Sequence, residues 1–418
     1  MTTFKPFCGI RPPREFVERV SCLPYDVLTP EEVRLQAADN PLSLLHITRA
    51  EVNLENRAAF SEECSSEYSL NQFRQFLKQG WLKKDAVPSY YVYALTIEGR
   101  TQVGVVGLAS CEEYRAGTIK CHELTRPDKE DERMKLIDSL SASIEPVFLC
   151  YRAVPAIDEL VARIMREKRA AYQFFSKEKV VHCLWKVDES QLTAKLEKLF
   201  AEKVPVAYVA DGHHRAAAAA RVGQKRRDAS GGSDESEGSN FFMAALFPDN
   251  QLKIWDYNRV IKDLNGYKAE KFIERISSSF EVIKLGKTAQ RPSRVHEMTM
   301  YLEGDWYLLR ARQNAYDDSD AAGSLDVTIL TACILEPILG IDDLRRSDRI
   351  DFVGGIYGPE ALRRQVDSGN MKLAFALFPV TIEQLIAITD QGKMMPPKTT
   401  WFEPKLYSGL VIYSFADR

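Results

Sequence analysis

The chain has 418 residues, 56 basic against 59 acidic for a formal net charge of -3, with 45% hydrophobic and 28% charged residues. Such proportions are ordinary for a soluble globular protein, and the length exceeds one typical domain, so two or three lobes are expected. The balanced charge leaves no electrostatic footprint for nucleic acid, and no stretch approaches the roughly twenty apolar residues that cross a bilayer. The start, Met1-Thr-Thr-Phe-Lys-Pro-Phe, lacks the basic-then-apolar pattern of a secretory signal, so a cytoplasmic protein without membrane partners is expected. Eight scattered cysteines contain no C-x-x-C pair, which excludes a zinc ribbon and a thioredoxin-type site.

Thr29 followed by Pro30, Glu31 and Glu32 predicts a helix start, with a cap, a proline at the first position and acids in the first turn; the helix should stop near Asp39-Asn40-Pro41. Leu44-Leu-His-Ile-Thr reads as a strand. A helix near Leu70 to Gln79 precedes Tyr90-Tyr-Val-Tyr-Ala-Leu-Thr-Ile, which with Gly99 and Gln102-Val-Gly-Val-Val-Gly-Leu makes a β-hairpin. Glu130 to Ser143 has helical periodicity, and Pro146-Val-Phe-Leu-Cys-Tyr is the next strand. Residues 156–177 and 188–202 read as helices around a strand at Val180 to Trp185.

Val204-Pro-Val-Ala-Tyr-Val-Ala is short, apolar and partly β-branched. Asp211-Gly-His-His-Arg comes directly after it, and then an alanine-rich helix former from Ala216. This is strand, tight turn, helix. Gly212 admits a backbone that other residues resist, and the open amides of the first helical turn then carry the positive end of the helix dipole. His213, His214 and Arg215 add donors suited to phosphate or carboxylate, so the turn reads as a phosphate cradle. The same residues also allow Asp211 to cap the helix while the histidines pack or face solvent.

Residues 229–240, rich in Gly, Ser and acid, should form a loop, either a solvated connection or a lid. Strands are expected at Phe241 to Phe247 and Ile254 to Ile261, then a helix at Ala269 to Ser278 and strands near Val282, Met298 and Tyr307. Further on, helices are expected near Val327 to Leu339 and Ile382 to Thr389, and strands near Phe352, Ala374 and Val411. Strands and helices mix without a strict βαβ rhythm, which predicts an α+β fold with mixed sheets and flanking helices. The expected division is an N-terminal segment 1–100, a phosphate-binding core 101–262 and a C-terminal lobe 263–418 that contributes a site loop.

Two other constellations can carry chemistry. Lys120-Cys-His-Glu-Leu-Thr places Glu123 beside His122 between a strand and a helix, where a carboxylate can act as general base or help hold a metal; Arg126 stands where a zincin needs its second histidine. Residues 392–405, Gly-Lys-Met-Met-Pro-Pro-Lys-Thr-Thr-Trp-Phe-Glu-Pro-Lys, offer Lys398, Thr399 and Thr400 after a double-proline turn. That segment suits either an anionic group or a rigid structural turn. There is no P-loop, no Rossmann glycine pattern and no G-x-S-x-G elbow, so any nucleotide would need a different cradle.

The pair formed by Cys121-His-Glu-Leu-Thr and Val209-Ala-Asp-Gly-His-His-Arg resembles the ParB and sulfiredoxin superfamily, with the free-serine kinase branch as the functional match. Over nearly its full length the chain resembles the family known as domain of unknown function ten-fifteen. The residues that carry this likeness include Lys5-Pro-Phe, Leu23-Pro-Tyr-Asp-Val-Leu, Asn40-Pro-Leu-Ser, His122-Glu-Leu-Thr, Asp211-Gly-His-His-Arg, Leu325-Asp-Val-Thr and Met395-Pro-Pro-Lys-Thr-Thr-Trp-Phe-Glu-Pro-Lys.

The resemblance implies a ParB-like central domain in a small-molecule kinase that moves a phosphoryl group from ATP, ADP or pyrophosphate, with magnesium, to an alcohol, free L-serine foremost. Glu123 would be the base, with His122, Lys398, Thr399 and Thr400 near substrate or phosphate. Gly212, His213, His214 and Arg215 would hold phosphate, and Asp211 would orient the turn or a magnesium ion. Sulfiredoxin chemistry needs a cysteine where His213 stands. Two other readings remain: a nucleotide-binding ParB-like regulator without acceptor turnover, and a metal-dependent hydrolase using His122, Glu123, His213 and His214.

Overall fold

The computed structural model describes residues 2–50, 62–231, 238–344 and 346–416. The chain folds as two units. One is built from the chain up to Cys121, from Thr125–Leu252 and from Pro404 onward; the other is built from His122–Leu124 and Lys253–Glu403.

The first unit is organised on a nine-stranded mixed sheet. From one edge, its strands run Ile119–Lys120, Ala207–Asp211, Val147–Tyr151, Phe241–Pro248, Arg100–Ser110, Tyr90–Ile97, Val181–Val187 and Tyr172–Phe175, with Phe4–Lys5 also paired to Arg100–Ser110. Phe241–Pro248 lies parallel to Val147–Tyr151, and both are almost wholly buried, as their unbroken apolar runs require of strands covered on both faces. The predicted hairpin is present. Glu98 and Gly99 both take positive φ (50° and 77°), the backbone of a two-residue turn whose twist matches its strands.

Helices Pro155–Glu167 and Ser190–Lys203 bury Ile157, Leu160, Ile164, Leu196 and Phe200 in the main core beside Val92, Val147 and Leu246. Helix His213–Ala229 contributes Ala216, Ala219 and Ala220 to the same core. Its small side chains allow close approach, and at Gly223 a Cβ would stand 2.6 Å from the Ser239 carbonyl oxygen. Helix Pro127–Leu140 runs alongside, joined through Arg226 and Lys225 to Asp138 and through Arg221 to Asp131.

The capping helix predicted at Thr29 is observed as Pro30–Ala38. Thr29 Oγ1 accepts from the Glu32 amide at 3.2 Å, and the Glu32 carboxylate accepts from the Thr29 amide at 2.8 Å. Two local expectations are corrected. Leu45–Thr48 is a short helix rather than a strand, because Leu44, Leu45 and Ile47 are all buried in the N-terminal core and the Ser43 hydroxyl accepts from the Leu45 amide. Tertiary packing here overrides the β preference of Ile47 and Thr48. The helix expected over 156–177 ends at Glu167, and Tyr172–Phe175 is an edge strand, alternately buried and exposed, in register with Val181–Leu184. Of the loop expected at 229–240, residues 232–237 lie outside the described residues.

The second unit carries a six-stranded antiparallel sheet in the order Phe280–Gly286, Asp305–Ala311, Glu297–Leu302, Leu373–Leu377, Tyr257–Ile261, Ile350–Gly354. Helix Gly358–Asp367 closes one face by inserting Leu362 among Val260, Tyr301, Trp306, Ala374 and Ala376. The segment expected as one strand from Ile254 breaks into Ile254–Trp255 and Tyr257–Ile261 at the buried Asp256. The helix expected over Val327 to Leu339 is α-helical only at Asp326–Leu330 and continues as a π turn at Thr331–Leu335. The fold is therefore α+β with mixed sheets, as predicted. Among the described residues, no helix is long and apolar enough to cross a membrane.

Candidate functional site

Strand Ala207–Asp211 pairs with Val147–Tyr151 until a bulge at Ala210, after which Asp211 stands opposite Phe148. The extra residue bends the strand and re-aims the chain beyond it. Gly212 then takes φ 90° and ψ 33° and serves as the helix cap without any side-chain hydrogen bond, so Asp211 does not cap the helix. Gly212 is required here for two reasons. Its backbone is left-handed, and a Cβ would meet the Arg215 guanidinium at 2.9 Å from Nε and 3.0 Å from Cζ. His213 is the first helical residue, and the first in-helix bond is made by Ala216, whose amide donates to the Gly212 carbonyl at 3.0 Å. The amides of His213, His214 and Arg215 therefore have no partner within the helix and lie at its positive end.

The side chains of this turn divide their work. Arg215 is only 5% exposed; its Nη1 donates to the Pro146 carbonyl at 2.5 Å, and its Nη2 lies 3.6 Å from Asp211 Oδ2. The guanidinium thus lies folded beneath the turn, and what Arg215 presents at the helix start is its backbone amide. His214 Nε2 accepts from the Arg126 amide at 3.0 Å, fixing the residue that begins helix Pro127–Leu140. His213 is buried. Lys405, 194 residues from Asp211 in sequence, brings its ammonium to 3.3 Å from Asp211 Oδ2. Burial alone would raise the Asp211 carboxyl, but the charges of Lys405, Arg215 and His213 outweigh it and hold the group well below the usual carboxylate range. Asp211 is accordingly a fixed anion between two cations.

In the second unit, His122 is 1% exposed. Its Nε2 lies 3.1 Å from the Thr400 hydroxyl, and its carbonyl accepts from the Met395 amide at 2.8 Å. Glu123 is half-buried and Lys398 exposed. Lys398 takes a left-handed backbone at φ 59°, with its ammonium 5.6 Å from the centre of the Tyr257 ring. Thr399 is buried, its hydroxyl donating to the Pro396 carbonyl at 2.5 Å. The structure thus joins His122 to the 395–400 loop and Asp211 to Arg215.

Two residues gave no functional signal in the sequence. Lys405 ends the 392–405 segment, in which only Lys398, Thr399 and Thr400 drew a role. Arg259 is 1% exposed and donates to the Lys398 carbonyl at 3.0 Å, holding the loop from within the sheet. No carboxylate pairs with Arg259 among the described residues, and burial pulls its pKa down to about 10. The available signal was a charged residue inside a short strand, Tyr257–Ile261, that ends in the apolar pair Val260-Ile261.

A mixed-sheet α+β protein with a strand-turn-helix at a left-handed glycine is the class defined by this fold and turn. The chain belongs to the family described as Protein of unknown function (DUF1015), whose model matches residues 4–328. No curated protein matches the sequence. Among solved structures the chain is similar to a variant of free serine kinase in complex with AMP, at 13% identity and a TM-score of 0.37, over 72% of this chain and 91% of that one. It is similar at 13% identity and a TM-score of 0.35 to a conserved hypothetical protein from Pyrococcus furiosus, over 72% of this chain and 94% of that one. SbnI with a C-terminal truncation, from Staphylococcus aureus, is similar at 12% identity and a TM-score of 0.37, over 73% of this chain and 87% of that one.

Proposed function

We propose that the protein is a small-molecule kinase that transfers a phosphoryl group from ATP, ADP or pyrophosphate to an alcohol, with free L-serine as acceptor. The observation that carries this reading is the helix start at Gly212, where three amides without helical partners meet a left-handed glycine that keeps Cβ atoms out of the way. The amides of His213, His214 and Arg215 hold donor phosphate, and the Arg215 side chain keeps the turn in shape from beneath. Asp211 orients the turn. Its Oδ2 is committed to two cations, a setting that does not suit a magnesium ion. Magnesium in this scheme accompanies the donor's phosphates and neutralises their charge.

Glu123 accepts the proton of the acceptor hydroxyl as its oxygen bonds to the terminal phosphorus and the bond to the leaving phosphate breaks. Glu123 is assigned this role on its chemistry, as a half-buried carboxylate in the short segment between strand Ile119–Lys120 and helix Pro127–Leu140. Lys398, Thr399 and Thr400 are assigned to substrate or phosphate on their chemistry. The test is incubation of purified protein with serine, magnesium and each donor, with detection of phosphoserine. Product formation that is abolished in Glu123→Ala is expected; absence of product with every donor, or full activity in the variant, would sink the reading.

A further inference from the structure

We infer that the 397–400 loop binds an oxyanion, a phosphate or carboxylate group, at the amides of Thr399 and Thr400, with the buried Arg259 guanidinium as its counter-charge. The inference rests on the substrate or phosphate role proposed for Lys398, Thr399 and Thr400, and not on the Gly212 turn. All of its residues lie in the second unit.

Among the described residues three arginines are buried, Arg133, Arg215 and Arg259. Arg133 meets Glu132 and lies 3.8 Å from Glu145, and Arg215 lies 3.6 Å from Asp211. Arg259 differs. It is 1% exposed and donates only to carbonyls, those of Tyr257, of Pro397 at 3.5 Å and of Lys398 at 3.0 Å. Its Nε–H has no acceptor, and no carboxylate acts on it electrostatically, among the described residues. Carbonyls accept hydrogen bonds but carry no net charge, and the Phe352 ring, 5.4 Å away, softens the charge without cancelling it. A buried charge left in this state is costly, and an anion brought next to it is what offsets the cost.

The loop tied to Arg259 supplies the donors. Neither the Thr399 nor the Thr400 amide has an acceptor among the described residues, although Thr399 is buried. Both hydroxyls are engaged, Thr399 with the Pro396 carbonyl and Thr400 with His122, so the amides are what the two threonines have to offer. They follow directly on Lys398, whose left-handed backbone (φ 59°) is rare outside glycine. Successive amides beside a left-handed residue make a concavity suited to an anion. Lys398 is exposed and Thr400 half-buried, so the loop can be reached from solvent. Arg259 acts on the anion through this loop, by its charge, and not by contact.

The alternative is that Arg259 is only a tie for the loop. Inorganic phosphate and L-serine are titrated separately into the full chain, and hydrogen exchange of the 395–400 amides is followed by mass spectrometry. Protection by phosphate or by serine is expected, and which of them protects tells the phosphate source from the carboxylate source. Arg259→Gln keeps donors without the charge, and Arg259→Lys keeps the charge. The midpoint of protection should rise roughly tenfold or more in Arg259→Gln and much less in Arg259→Lys. Protection by neither probe in the wild-type chain would overturn the inference whether or not the variants fold. So would a wild-type midpoint in Arg259→Gln, or equal weakening in both variants, which is the mark of a tie. Protection without phosphoserine formation would leave this site standing and remove the kinase reading; phosphoserine formed without protection would do the reverse.

Discussion

At the scale of single residues, the turn at Gly212 was legible because its parts are adjacent in the chain. A glycine between a β-branched apolar run and an alanine run has few uses other than a left-handed turn, and Gly212 takes φ 90°. The direction of the Arg215 side chain was not legible, since the Pro146 carbonyl that turns it inward lies 69 residues away. Gly212→Ala tests both halves of this picture. The left-handed backbone costs about 1–2 kcal/mol for a residue with a Cβ, before any clash with the guanidinium is counted. Urea denaturation should register at least that loss, together with weaker pyrophosphate binding. An alanine variant as stable as the parent would mean that the turn adopts another backbone.

At the scale of elements, strong local signals survived folding and weak ones did not. Thr29-Pro-Glu-Glu specifies a cap, a first residue and a reciprocal bond within four positions, and that helix starts where expected. Leu45–Thr48 and Tyr172–Phe175 are too short for periodicity to outvote their surroundings, so a buried core decided the first and a neighbouring strand the second. The 395–400 loop is held from outside itself by Arg259, at the Lys398 carbonyl, and by His122, at Met395 and Thr400. Arg259→Met replaces a buried cation that has no carboxylate partner among the described residues by an apolar chain of similar length, so global stability should change little. The carbonyl of Lys398 loses its donor, and amides of residues 395–400 should exchange hydrogen faster in mass-spectrometric measurements. Unchanged exchange there would show that the loop is held by other contacts.

At the scale of the whole molecule, stability should carry a pH signature from Asp326. This carboxyl is 7% exposed and accepts the His296 amide at 2.7 Å. Burial pushes its pKa up to about 7, Glu297 adds to the rise, and the bond from His296 opposes it. An unfolded aspartate titrates near 3.9. Between about pH 4 and 7 the folded state therefore binds more protons, and stability falls as pH rises through that window. Its contribution is fully present below about pH 4 and lost above about pH 7. Asp326→Asn should erase a loss on the order of a few kcal/mol, so the variant gains on the parent between about pH 4.5 and pH 7.5 in denaturant titrations. A constant difference between the two proteins would contradict the assignment.

The sequence by itself determined the mixed α+β character, the hairpin at Gly99, the capped helix at Thr29 and the strand-turn-helix at Asp211. Each of these is written in neighbouring residues through alternation, capping or backbone freedom. Only the tertiary structure decided that Arg215 points inward, that Arg259 holds the Pro-Pro-Lys-Thr loop and that Lys405 joins Asp211. These three depend on burying charge against partners 69 to 194 residues away, with 139 between Arg259 and Lys398. Desolvation and long-range pairing leave no periodic trace in a linear chain.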